Sequence, residues 1–288
     1  MRFRALHSNG EKRKVRLMTR RWLAISRTIS AICGLLLLAA VPVCFAAEPS
    51  PKATAAFNAY IGIVEARLAA EHQTQAFLAP GTLAPQNDAR LRRGEYVVDQ
   101  LTPASATDLP GAMLHDWRAT AFVAGAKAED FERMMRDYSA YPRLFSPQVM
   151  QATVLSHDGD HFVVKMRVRQ HHVITVVMDT TYDVTFRKVG AGRGYSISRS
   201  TRISEIGSPG TKNEHVLSGT EEQGFLWRLN TCWTYEERDS GLYMQIESVS
   251  LTRSIPTGLG WVVKPFVESV PRESMEFTLR AICNALRK

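Results

Sequence analysis

GLGWVVKPFVESVPRESMEFTLRAICNALRK, residues 258–288, closes the chain and decides how the rest is read. Val270, Met275, Leu279, Ile282 and Leu286 recur at spacings close to four, so they share one face of a helix. Pro271 suits a first helical turn, and Glu273 suits the positive end of the helix dipole. Upstream, Trp261, Val262, Val263, Phe266 and Val267 are apolar, and Pro265 leaves two readings open. Either the helix is kinked at Pro265, or it begins at Pro271. Long alternating runs precede it. One apolar-striped helix after a large antiparallel sheet lies across that sheet. The expectation is an α+β domain whose last helix closes a cavity.

The sheet is read from period-two alternation. Trp117, Ala119, Ala121 and Val123 alternate with Asp116, Arg118 and Thr120 as a first strand. Ala128–Tyr138 reads as a helix with Phe131, Met134, Met135 and Tyr138 on one side, ended by Tyr141-Pro142. Strands are then expected at Val149–Ser156, His161–Arg169, Val173–Phe186, Tyr195–Ile206, Phe225–Glu236 and Leu242–Leu251. Gly159, Gly190–Gly194, a polar loop at Gly207–Gly219 and Asp239-Ser240-Gly241 supply the turns. Such alternation predicts a sheet with one packed face and one wet face.

The net charge of +8 comes from one end of the chain. Residues 1–46 hold nine basic residues and one acid, while residues 47–288 carry 27 of each sign. Composition therefore gives no case for nucleic acid. The leader reads as an export signal: a basic segment, the apolar or small run Ala31–Phe45, then Ala46-Ala47-Glu48-Pro49, with cleavage expected after Ala46. That run of 15 residues falls short of the roughly 20 that span a bilayer. An uncleaved anchor is the rival reading, Met18 is an alternative start, and Thr19–Leu23 also resembles a twin-arginine signal. The expected location is periplasmic or secreted. Cys232 and Cys283 survive processing, either as a disulfide or as two buried thiols. Beyond the leader, Phe57, Tyr60, Ile61, Val64 and Leu68 stripe a helix over residues 53–72 that packs on the main domain or on a partner. Residues 79–110 are looser, with Pro80, Pro85, Pro103 and Pro110 as breakers and one short strand within Gly94–Leu101. The expected division is a leader at 1–46, a helix and linker at 47–110, and a ligand-binding domain at 111–288.

Three features carry a resemblance. The strand with Trp117 runs into a helix ending Arg136-Asp137-Tyr138-Ser139-Ala140-Tyr141-Pro142-Arg143-Leu144-Phe145-Ser146-Pro147. Hairpin strands follow, and the last helix comes after a Pro/Gly-containing strand end, Ser254-Ile255-Pro256-Thr257-Gly258. Over about residues 112–288 this resembles the START-like superfamily, also called Bet v 1-like or SRPBCC. The Asp-Tyr…Tyr-Pro…Phe-x-Pro segment is similar to that of its bacterial coenzyme Q-binding and polyketide cyclase-like members. The resemblance implies a helix-grip fold, a curved antiparallel sheet around a long C-terminal helix, with a hydrophobic ligand cavity. The group shares no catalytic signature, so no catalytic residue is carried over.

The candidate ligand-binding residues follow from strand phase. Phe225, Trp227, Trp233 and Tyr235 share one phase, as a cavity wall or as ordinary core. Arg199 has the parity of Tyr195, Ile197 and Ile203, which aims it inward, and Glu205 shares that phase. A buried guanidinium there is paired by Glu247 or Glu205, or meets a ligand carboxylate or phenolate. A bulge that flips the register would put it in water instead. Met166, Met178, Tyr182 and Leu279 complete the lining. His171 and His172 point to opposite faces of a strand, and His157 and His161 flank a turn, so no metal site is expected. There is no Gly-x-Ser-x-Gly elbow, Walker pattern or dinucleotide glycine pattern, and no cofactor is expected. The leading expectation is an exported, non-enzymatic carrier of a hydrophobic molecule of lipid, isoprenoid or quinone type, with transient membrane contact. One rival is a cofactor-free cyclase- or hydrolase-like enzyme using Arg199, Tyr182 and Glu247 as acid/base groups. The other is a periplasmic interaction module docking through the Phe57–Leu68 stripe.

Overall fold

The computed structural model describes residues 48–102, 109–171, 175–254 and 260–287, and for 260–268 the backbone alone. The leader, Pro103, His172, Ile174 and the Ile255–Gly258 segment lie outside the described residues. Strands β1 (Val97–Gln100), β2 (Ala112–Ala124), β3 (Val149–Asp158), β4 (His161–His171), β5 (Thr175–Gly190), β6 (Arg193–Gly207), β8 (Arg228–Arg238) and β9 (Gly241–Arg253) form one antiparallel sheet. Their order is β1-β2-β9-β8-β6-β5-β4-β3, and a short β7 (His215–Val216) pairs with β6. The helices are α1 (Pro51–His72), α2 (Pro85–Arg92), α3 (Ala128–Arg136), α4 (Tyr141–Leu144) and α5 (Gly260–Leu286).

Helix α5 lies in the grip of the sheet. Met275, Leu279, Ile282 and Cys283 are buried with Trp117, Ala119, Ala121 and Val123 of β2, Trp233 and Tyr235 of β8, and Phe131 of α3. This is the helix-grip fold. The helix begins at Gly260 rather than Pro271, with Pro265 and Pro271 both inside it. Each proline removes one backbone hydrogen bond. Helical stability in a domain comes chiefly from packing an apolar face, and the stripe from Met275 onward supplies that.

The first helix after β2 is shorter than its apolar spacing suggests. It stops at Arg136 because Asp137 leaves helical geometry (φ −86°, ψ 75°) and accepts a hydrogen bond from Ala140 N–H at 3.3 Å. Tyr138–Ala140 is a tight 3₁₀ turn. Pro142 then sits in the first turn of α4, so Tyr141-Pro142 opens a helix instead of closing one.

The face expected to be wet is largely covered. Ser50 caps α1 by accepting from Ala53 N–H at 3.2 Å, and Pro51 starts the helix. Ala53, Phe57, Val64 and Leu68 then bury themselves against Leu114, Trp227, Cys232, Val249 and Leu251 on the convex face. The Phe57–Leu68 stripe is thus spent on the chain's own sheet and not left for a partner. Leu78, Leu91 and Val97 cover Phe122 and Tyr243 farther along the same face. Arg92 fixes this cover through Tyr243 Oη at 2.9 Å and through its stack on Phe122, 5.2 Å from the ring centroid. Both faces of β2 and β9 are consequently buried. Cys232 lies under α1 and Cys283 on α5, free and on opposite faces of the sheet.

Candidate functional site

Cross-strand register defines the concave floor. Trp117 of β2 pairs with Ser248 of β9, Ser248 with Thr231 of β8, Thr231 with Ser198 of β6, and Ser198 with Val184 of β5. One step toward α3 the row is Ala119, Ile246, Trp233 and Ser196, which the core fills. One step the other way it is His115, Ser250 and Leu229, continued by Ser200, Tyr182 and Val164. Bulky side chains therefore give way, in mid-sheet, to small hydroxyls. Ser198, Thr231 and Ser248 are half-buried although their strands lie in the middle of the sheet. Residues that small, on that face, fill less of the space above the sheet than Trp233 does. The half-buried hydroxyls mark a floor that the described side chains leave partly uncovered.

The side chains around this floor are apolar. Trp117, Trp233 and Tyr182 are buried beside it, and Leu229 and Met166 are half-buried. Met178 is buried on the same face, farther toward the start of β5. Tyr235 and Leu279 belong to the filled part of the core. Burial pushes the Tyr182 phenol up to about 12, so it stays a neutral hydrogen-bonding group. Ser200 Oγ accepts from Leu229 N–H at 2.9 Å. The hydroxyls of Ser198, Thr231 and Ser248 make no side-chain hydrogen bond among the described residues. The buried indole N–H of Trp117, at the end of the same row, also has no acceptor.

A β-bulge relocates the charged candidates. Thr181 pairs with Arg202, yet Tyr182 pairs with Ser200, so Thr201 is an extra residue in β6. Parity reverses there. Tyr195, Ile197 and Arg199 face the convex side, while Ile203 and Glu205 share the concave phase of Thr180 and Met178. Arg199 accordingly pairs with Glu65 of α1 at 2.7 Å, and its expected partners Glu247 and Glu205 are engaged elsewhere. Glu205 accepts from Gln223 N–H and Phe225 N–H at 2.8 and 2.9 Å, which pins the loop before β8. Glu247 lies under α1, bonded to Arg67 and, at 2.7 Å, to Arg118. Beside it Tyr60 donates to Asp116 at 2.7 Å. Burial, with Glu247 adding to it, pushes Asp116 up to about 6. This polar cluster pins the helix to the sheet, so neither Arg199 nor Glu247 can serve acid/base chemistry in the grip.

Two aromatic candidates move as well. The strand starts at Arg228, not Phe225. Phe225 is exposed in the preceding loop, and Trp227 packs under α1 with Phe57 and Leu251.

The comparisons with known proteins come from structure alone. No family model matches the sequence. No curated protein matches it either. Among solved structures the chain is similar to a STAR-related lipid transfer protein fragment from Xanthomonas axonopodis, at 18% identity and a TM-score of 0.41, over 66% of this chain and 99% of that one. It is similar to a START superfamily protein from Mycobacterium smegmatis, at 11% identity and a TM-score of 0.40, over 59% and 96% of the two chains. It is likewise similar to the Zhui aromatase/cyclase from Streptomyces sp. R1128, at 12% identity and a TM-score of 0.41, over 59% and 92%.

The charged surface clusters do not compete as a site for an apolar ligand. A surface cleft of about 510 Å³ is lined by Glu129, Glu132, Arg133, Arg136, Asp160 and their neighbours, which largely pair with one another. His157 stacks on Phe162 at 4.1 Å, and His161 contacts Asp183 at 2.8 Å. No group of metal-ligating side chains occurs among the described residues.

Proposed function

We propose that this chain is an exported carrier that holds a hydrophobic small molecule between the concave sheet and α5. The observation that carries the reading is the half-buried row Ser198, Thr231 and Ser248 in mid-sheet, flanked by Trp117, Trp233, Leu229, Tyr182 and Met166. Binding sites for apolar ligands pair such walls with a few polar groups. Export is supported by the order of basic, apolar and small residues in 1–46. A lipid, isoprenoid or quinone matches the mixture of aromatic wall and hydroxyl floor, and delivery would involve transient contact with a membrane.

Organic extraction of the purified protein, followed by mass spectrometry, tests this. An apolar molecule at close to one per chain is expected, and Thr231→Trp, which fills the floor, is expected to lose it while remaining folded. An empty wild-type protein that also takes up no added apolar ligand would refute the reading.

A further inference from the structure

We infer that the bound molecule is uncharged and carries an oxygen function, such as a hydroxyl, carbonyl or ether, that lies on the Ser198–Thr231–Ser248 row. The inference rests on the groove being a ligand site, and it narrows the class of ligand.

The row argues for an oxygen function. Adjacent strands lie about 4.8 Å apart, so the three residues span about 10 Å across β6, β8 and β9. Each hydroxyl can donate once and accept twice, and no described side chain or backbone group uses any of them. A pure hydrocarbon lying on this floor would exclude water from three hydroxyls and give nothing back. A ligand alcohol or carbonyl recovers those bonds.

The charges argue against an anion. A buried carboxylate or phosphate needs a cation or several directed donors. No Lys or Arg shares the concave phase near the row among the described strand residues. The arginines of these and the neighbouring strands lie in the other phase: Arg199 is paired with Glu65, Arg118 with Glu247, and Arg167 with Asp179 and Glu214, while Arg202, Arg228 and Arg253 share the convex register of Thr181, Leu251 and Ala112. Ionisable groups that share the concave phase include the Glu205 carboxylate, whose sign repels an anion, His115, which is bonded to Thr252, and Lys188 at the far end of β5, which is paired with Glu132. Tyr182 stays a neutral phenol.

A series with one tail and different heads separates these effects. Farnesene, farnesol, farnesoic acid and farnesyl phosphate are titrated into the full purified chain at pH 8, each displacing the neutral dye Nile red. Farnesol is expected to bind about tenfold more tightly than farnesene, and more tightly than either anion. Thr231→Val with Ser248→Ala is expected to bring farnesol to the level of farnesene while Nile red still binds. Ser198→Ala, a milder change, should move farnesol part of the way. If farnesoic acid or farnesyl phosphate binds as tightly as farnesol, or if the variants leave farnesol unchanged, the inference falls while the groove survives as a ligand site. If neither the dye nor any member of the series binds, the carrier reading falls with it.

Discussion

Asp116, beneath α1, and His72, at the C-terminal end of that helix, respond to pH in opposite senses. Asp116 is pushed up from the carboxylate range to about 6, first by burial and then by Glu247. His72, buried against Thr234 and stacked on Tyr195 at 4.2 Å, is pushed down to about 4 by burial. A raised carboxyl takes up a proton on folding, so its favourable contribution is complete below about pH 4 and lost as pH rises through about 6. A depressed imidazole contributes fully above about 6.5 and loses that contribution as pH falls through about 4. At about 1.4 kcal/mol per pH decade, each is worth about 3 kcal/mol across the window, with opposite sign. Their sum is nearly flat between pH 4 and 6.5. His72→Gln should therefore unmask Asp116, so that stability relative to the parent falls by about 3 kcal/mol from pH 4 to 6.5. Asp116→Asn, which keeps an acceptor for Tyr60, should show a rise of similar size. Urea unfolding at four pH values, read as variant minus parent, removes the background of other carboxylates. Equal slopes in the two variants would refute the burial of these two groups between α1 and the sheet.

Three further outcomes follow from the same geometry. Glu247→Gln leaves Arg67 and Arg118 without their buried carboxylate and should cost about 3 kcal/mol in urea unfolding, with ligand binding unchanged. Arg199→Ala removes a partly exposed pair with Glu65 and should cost less than about 1 kcal/mol, again without affecting the ligand; loss of binding would return Arg199 to the groove. Cys232 and Cys283 should both react with a thiol reagent only after unfolding, without prior reduction, because burial pushes them up to about 12 and about 11.

Much of the architecture was legible because it rests on period. The stripe Met275–Leu279–Ile282 and the alternation in β2, β5 and β9 are core-facing patterns that packing reinforces. What misled was the assumption of one wet face. Trp227, Arg199 and Glu247 are apolar or charged residues on a convex face that α1 covers, so burial there says nothing about the grip. The serines of β6, read as the polar phase, are on the concave side up to the bulge at Thr201. One extra residue has no signature in composition, yet it reverses every orientation beyond it. The hydroxyl row also depends on three strands meeting in register, which no single strand reveals. A hint was present in Ser196, Ser198 and Ser200 sharing one phase while Tyr195 and Ile197 share the phase that α1 covers.

The central claim is that a hydrophobic molecule lies on the Ser198–Thr231–Ser248 floor. Photo-crosslinking with a diazirine-bearing farnesol analogue, followed by peptide mapping, tests it most directly. Labels are predicted on 196–200, 229–233 and 246–250, with Met166 and Tyr182 as further targets, and Thr231→Trp should suppress them. Labelling concentrated on α1, or on the charged cleft around Glu132 and Arg136, would contradict the account.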